Sequence, residues 1–88
     1  MEIEARRREI LGKKVKVLRE RGIIPAHLYG PGIESVAIEV DGKVLKKALK
    51  EGKEHVLKLD GNEYRVEVRE IQRNPLTGEI LHVDFFKP

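Results

Sequence analysis

A histidine and an aspartate stand two residues apart near the end of the chain, in the segment ILHVDF at residues 80–85. Alternate side chains of an extended strand share a face, so Leu81, Val83 and Phe85 are predicted to face a core. His82 and Asp84 would then lie side by side on the outer face. An imidazole and a carboxylate held together offer both donors and acceptors, which suits the recognition of hydrogen-bonding edges better than solvation alone.

Other chemistries for this pair lack partners in the sequence. Ser35 is the only serine and has no nucleophile motif around it, so no catalytic triad with His82 and Asp84 is predicted. The three histidines show no close His-x-x-x-His or Glu-paired spacing, so no metal site and no cofactor is expected. His27 and His55 are interpreted as ordinary surface or rim residues. The chain is therefore predicted not to be an enzyme.

Positive charge is concentrated near the N-terminus. Residues 1–21 carry eight Lys or Arg and four Glu, whereas the remaining residues carry ten basic and eleven acidic side chains. A basic segment on a nearly neutral body indicates a polyanionic partner, of which nucleic acid is the usual one, with a merely solvated surface as the alternative. The chain has no Cys, no apolar run long enough to span a membrane and no signal-peptide pattern. The cytoplasm is therefore the expected location, and no membrane partner is expected.

The pattern of apolar residues predicts a mixed α and β domain that is mainly β. Alternation predicts six strands, at residues 3–8, 25–29, 36–40, 56–59, 64–68 and 80–85. A change of parity after Val68 predicts a bulge near Arg69 and Glu70. Helical spacing predicts one short helix at residues 13–21 and a second that follows an N-cap at Asp41. The 88 residues are predicted to form a single domain, a closed or nearly closed barrel.

Motifs at both ends of the chain resemble one bacterial ribosomal protein family. They are Arg8, Gly12-Lys13, Leu18-Arg19, Gly22, Pro25-Ala26 and Tyr29-Gly30, followed by Gln72-Arg73-Asn74-Pro75, Gly78 and Leu81-His82-Val83-Asp84-Phe85. In this order they resemble the 5S-rRNA-binding proteins of the large ribosomal subunit, the family that includes the general stress protein CTC. The resemblance implies a six-stranded β-barrel with two short helices. It also implies binding to the irregular loop E helix of 5S rRNA, mainly from the minor-groove side.

The resemblance extends to individual residues and partners. Contacts with RNA are expected from Arg8, Lys13, Arg19, Tyr29, Gln72, His82 and Asp84, with Lys14 and Lys16 as helpers. The stretch from Gly12 to Leu18 is one residue shorter than the family's usual pattern, which leaves the start of the first helix open. The short form, without a second β domain, is expected. The expected partners are 5S rRNA and the large ribosomal subunit, and a monomer is expected outside the ribosome.

Simpler interpretations of these residues stand beside the functional ones. Tyr29 could simply cover the core, Gln72 could satisfy backbone groups at the bulge, and His82 with Asp84 could be a chance surface pair. For the whole chain, the alternative is a free cytosolic stress-related protein that acts through protein contacts. DNA binding ranks lower, because no predicted helix is both long and basic enough to fill a major groove.

Overall fold

Six strands close into a barrel in the computed structural model, which describes residues 1–8 and 15–88, without the side chains of residues 15 and 16. The strands are β1 (Glu2–Arg7), β2 (Ile23–Gly30), β3 (Ile33–Asp41), β4 (Glu54–Leu59), β5 (Asn62–Arg73) and β6 (Ile80–Phe86), and the helices are α1 (Val15–Glu20) and α2 (Gly42–Lys50). The predicted class and the predicted barrel are confirmed. None of the helices in the described ranges combines the length and the apolar character that crossing a membrane requires.

The order of the strands around the barrel is β1-β3-β2-β6-β5-β4. The hairpins β2–β3 and β4–β5 pair neighbours in sequence, whereas β1–β4 and β2–β6 are parallel pairs of strands distant in sequence. In the β2–β6 pair, His27 lies opposite Asp84 and Tyr29 lies opposite Phe86. This parallel pair therefore joins residues from the two ends of the sequence on one surface.

The interior of the barrel is filled by alternate residues of every strand. Val83 and Phe85 are fully buried, as predicted, and they pack in one cluster with Ala26 and Leu28 of β2. The prediction that Leu81 faces the core is wrong. Ile80 is buried at 2% exposure and Leu81 is only partly covered, because the pairing with β5 shifts register between Gln72 and Arg73.

The predicted bulge in β5 is confirmed. The register with β6 shifts between Val68 and Glu70, so the extra residue changes which side chains face inward. Val68 is buried before the shift, and Glu70 and Gln72 are exposed after it, opposite Asp84 and His82 of β6. The bulge thus places Gln72 on the outer surface beside His82.

The two helices cover the barrel in different ways. Asp41 caps α2 as predicted, since its carboxylate accepts hydrogen bonds from the backbone N–H groups of Lys43 and Val44 at 2.9 and 3.1 Å. The helix buries Leu45 and exposes its lysines. Helix α1 packs against β2 and buries Leu18. The predicted start of this helix, at residue 13, lies outside the described residues.

His55 corrects a second expectation. It is not a surface or rim residue: it is 4% exposed on the inner side of β4, and its Nε2 lies 2.8 Å from the carbonyl oxygen of Gly52. Because β4 alternates inward at positions 55, 57 and 59, the imidazole occupies a core position. The hydrogen bond to Gly52 offsets part of the cost of burying its polar ring.

The cap of α2 gives the first prediction. Asp41→Ala should lower the free energy of unfolding by about 1 kcal/mol, because two backbone N–H groups lose their acceptor. Asp41→Asn keeps an acceptor and should lose clearly less. Chemical denaturation of the three proteins measures the difference, and equal losses for the two variants would contradict the capping role.

Candidate nucleic-acid interface

Five polar or aromatic residues share the outer surface of three adjacent strands. They are His27 and Tyr29 of β2, His82 and Asp84 of β6, and Gln72 of β5, and together they are called the outer face below. The inward neighbours Ala26, Leu28, Val83 and Phe85 fill the core, so alternation directs these five side chains outward. Four predicted RNA contacts are therefore neighbours: Gln72 on β5, His82 and Asp84 on β6, and Tyr29 on β2.

His27, His82 and Asp84 form the centre of the outer face. His82 Nδ1 lies 3.4 Å from Asp84 Oδ1, and their side chains are 20% and 24% exposed. The rings of His27 and His82 lie 5.3 Å apart between centroids, tilted by 51°. His82 stands on a strand that is paired on both sides, so its side chain loses little conformational freedom when it binds a partner. A side chain positioned in this way favours specific recognition over non-specific attraction.

Because His82 is partly buried, its ring stays neutral more readily than the ring of an exposed histidine. Desolvation lowers the pKa of His82 below its ordinary value, and the nearby charges of His27 and Arg8 lower it as well. The carboxylates of Asp84 and Glu70 act in the opposite direction. At neutral pH the ring is therefore neutral, with one ring nitrogen as a donor and the other as an acceptor.

An aromatic cluster lies at one end of the outer face. The ring of Tyr29 packs edge-on against Phe86, with 5.5 Å between centroids, and the guanidinium of Arg69 lies 4.0 Å from the centroid of the Phe86 ring. These contacts hold Tyr29, half-buried, on the outside of the barrel. A tyrosine fixed in this way presents a flat apolar ring and a hydroxyl to a partner.

Arg8 lies at the edge of the outer face next to β3. Its backbone N–H donates to the carbonyl of Ala37 at 3.0 Å, and Ala37 is the register partner of His27. Burial lowers the pKa of the Arg8 guanidinium, while Glu39 acts against this shift. Among the described residues, Nε of Arg8 is buried without a hydrogen-bond partner.

The two preceding arginines are engaged within the protein. Arg6 pairs with Glu39, and Arg7 pairs with Asp60. Their charge is partly neutralised by these carboxylates. Of the three consecutive arginines, Arg8 is the one placed beside the outer face.

Arg19 is the other predicted basic contact whose side chain the structure describes. Arg19 of α1 is half-buried and lines a surface depression with Gly22, Glu79 and Ile80, near the start of β6. Lys13 and Lys14 lie outside the described residues. Lys16 belongs to α1, but the position of its side chain is not among the described features.

Sequence reasoning missed His27 as a member of this surface and Phe86 as the aromatic partner of Tyr29. Alternation along β2 places His27 on the same side as Tyr29, and this signal is present in the sequence. The proximity of His27 to His82 depends on the parallel pairing of β2 with β6, which no local pattern encodes. This contact could not be predicted because it depends on non-local strand pairing and not on residue type.

The electrostatics of His82 give the second prediction. Asp84→Asn should lower the pKa of His82 further, because the carboxylate that favours the charged ring is lost. His27→Gln should raise it, because a neighbouring positive charge is lost. NMR titration of the imidazole signals measures both shifts. Asp60→Asn is the control, since this carboxylate pairs with Arg7, and a shift equal to that of Asp84→Asn would contradict the assignment.

Comparison with known proteins agrees with the motifs. The sequence model of the Ribosomal L25p family matches residues 2–85. The chain is similar to large ribosomal subunit protein bL25 of Geobacillus thermodenitrificans, with 48% identity over 71 residues that cover 77% of this chain and 34% of the relative. It is similar to bL25 of Dehalococcoides mccartyi, with 38% identity over 85 residues that cover 91% of this chain and 39% of the relative.

For a third relative, the alignment covers a slightly larger share of both chains. Large ribosomal subunit protein bL25A of Symbiobacterium thermophilum is 33% identical over 92 residues, which cover 99% of this chain and 45% of the relative. The chain thus spans less than half the length of these curated relatives. Their names describe a ribosomal subunit protein and not an enzyme. On the match over nearly the whole chain, the protein belongs to the Ribosomal L25p family.

Proposed function

We propose that the domain is a structural component of the large ribosomal subunit that binds 5S rRNA in the cytoplasm. The bound element is the irregular loop E helix, approached mainly from its minor-groove side. The observation that carries the proposal is the outer face itself, where donors, acceptors and an aromatic ring lie on one open surface beside Arg8. Membership of the Ribosomal L25p family supports the proposal, as do relatives named as proteins of the large subunit.

The shape of the outer face suits one groove of an RNA helix. The major groove of regular RNA is deep and narrow, whereas the minor groove is wide, shallow and lined with 2′-hydroxyls and base edges. Side chains that stand on adjacent strands form a broad, low surface, which enters the shallow groove without deep insertion. An irregular helix displays base edges that a regular duplex does not, which gives such a surface features to distinguish.

His82 and Asp84 supply discrimination rather than attraction. A carboxylate near phosphates is repelled, so Asp84 favours binding only if it accepts a hydrogen bond from an amino group or a 2′-hydroxyl. Neutral His82 offers one donor and one acceptor beside the carboxylate of Asp84. Gln72, opposite His82 on β5, adds an amide that both donates and accepts. A helix without matching groups would leave these side chains unpaired, and that costs binding energy.

Basic residues around the outer face supply most of the affinity. Arg8 borders the face, Arg19 lies near the start of β6, and Lys13, Lys14 and Lys16 belong to the same basic segment. Contacts of this kind neutralise phosphates, release counterions and weaken as salt rises. The two sets of residues should therefore differ in their response to salt.

Specificity for loop E is tested by a third prediction. The domain should prefer a 5S rRNA fragment with loop E to a regular duplex of equal length, and the preference should persist as the salt concentration rises. Affinity is measured by a titration of each RNA over a range of salt concentrations. Equal affinities with equal salt slopes would overturn the proposal and favour a partner other than this RNA.

The division of labour is tested by a fourth prediction. Arg19→Ala should weaken binding to both RNAs and reduce the salt slope by about 1, because one phosphate contact is lost. His82→Ala should reduce the preference for the loop E fragment by ~1–3 kcal/mol, with a nearly unchanged slope. Arg65→Ala removes an exposed charge from the part of β5 that pairs with β4, so it is the matched control. Indistinguishable effects of Arg19→Ala and His82→Ala would contradict these roles.

A further inference from the structure

We propose that His27, His82 and Asp84 form a binding site for a divalent transition metal ion of the Zn²⁺ type. Each residue offers one ligand atom, and these atoms lie within 4.8 Å of one another. The site belongs to the domain in the absence of RNA, so this proposal does not depend on the proposed function. It does use side chains that RNA binding would occupy.

One of the three ligand–ligand distances already fits a small tetrahedral ion. Two ligands that each lie about 2.1 Å from zinc, at a tetrahedral angle, are roughly 3.4 Å apart. His82 Nδ1 and Asp84 Oδ1 lie 3.4 Å apart, so this edge of the tetrahedron is already formed. His27 completes a triangle after a side-chain rotation that shortens its distance to the other two ligand atoms.

The strands place these ligands with little freedom. His82 and Asp84 are alternate residues of β6, and His27 is the register partner of Asp84 on β2. Two ligands on one strand and a third on its hydrogen-bonded neighbour form a rigid three-point site. Rigid placement lowers the entropy lost on binding, since the three side chains need not be gathered from separate loops.

The ligand types select the class of ion. Imidazole nitrogen suits Zn²⁺, Cu²⁺, Ni²⁺ and Co²⁺, whereas Mg²⁺ and Ca²⁺ prefer sites made of oxygen atoms. Two imidazoles and one carboxylate therefore favour a transition metal, and three protein ligands leave the fourth position to water. Nearby charges are mixed: Glu70 lies opposite Asp84 and attracts a cation, while Arg8 acts in the opposite direction.

The test is a titration of ZnCl₂ into the chelator-treated domain, followed by calorimetry and by NMR of the imidazole rings. Saturable one-to-one binding is expected, with changes in the ring signals of both His27 and His82. His55 is an internal reference, because it is buried inside the barrel and its signals should stay in place. With Co²⁺ in place of Zn²⁺, strong visible absorption typical of four-coordinate cobalt is expected.

Two variants and one control determine the ligand set. His27→Gln and Asp84→Asn should each weaken zinc binding by more than ~10-fold, since loss of a direct ligand costs at least as much as loss of a residue that only orients one. Asp60→Asn also converts a carboxylate to an amide, but on the Arg7 pair, and should bind zinc like the wild type. Absence of saturable binding, a response of His82 alone, or unchanged affinity in His27→Gln would each overturn the proposal.

RNA binding is measured separately, in the presence of chelator, so the two proposals can fail independently. Preference for the loop E fragment with no zinc binding overturns only the metal site. Zinc binding with no RNA preference overturns only the proposed function. If both occur, addition of the loop E fragment should weaken zinc binding, and unchanged zinc affinity in the RNA complex would show that RNA does not cover the outer face.

Discussion

The parallel pairing of β2 with β6 is the constraint on which the rest of the structure depends. It closes the barrel between two strands that are far apart in sequence, and a single register sets both sides of the pair. On the inside, Ala26 lies opposite Val83 and Leu28 opposite Phe85, all fully or almost fully buried. A slip by one residue would bring polar side chains into the core. Core packing therefore also fixes the outer face.

The same constraint explains how much could be predicted from the sequence. Strands with clean alternation, the Asp41 cap and the bulge after Val68 depend on neighbours along the chain, so they could be predicted. The inward position of Leu81 was predicted wrongly, because a second register shift between Gln72 and Arg73 changes the pairing at the start of β6. The burial of His55 was missed because residue type outweighed position in the interpretation.

The candidate site likewise has one part that could be predicted from local sequence and one part that could not. The shared face of His82 and Asp84 follows from their spacing on one strand, and the position of Gln72 beside them follows from the bulge. The addition of His27 to this pair could not be predicted, since it requires the β2–β6 register. Local patterns therefore identify which residues face outward, and only the closed barrel determines which of them meet.

The charged residues around the outer face differ in what they contact. Arg6 and Arg7 pair with carboxylates of the protein, whereas Arg8 lies at the border of the face and acts on His82. On a surface that only attracts RNA, a neutral or basic residue is expected at the position of Asp84. In the proposed complex, Asp84 requires a matching donor on the RNA. If a metal ion occupied the three ligands, the same surface would gain positive charge and would lose the free acceptors of His82 and Asp84. It would then attract phosphates more strongly and distinguish less between RNA helices.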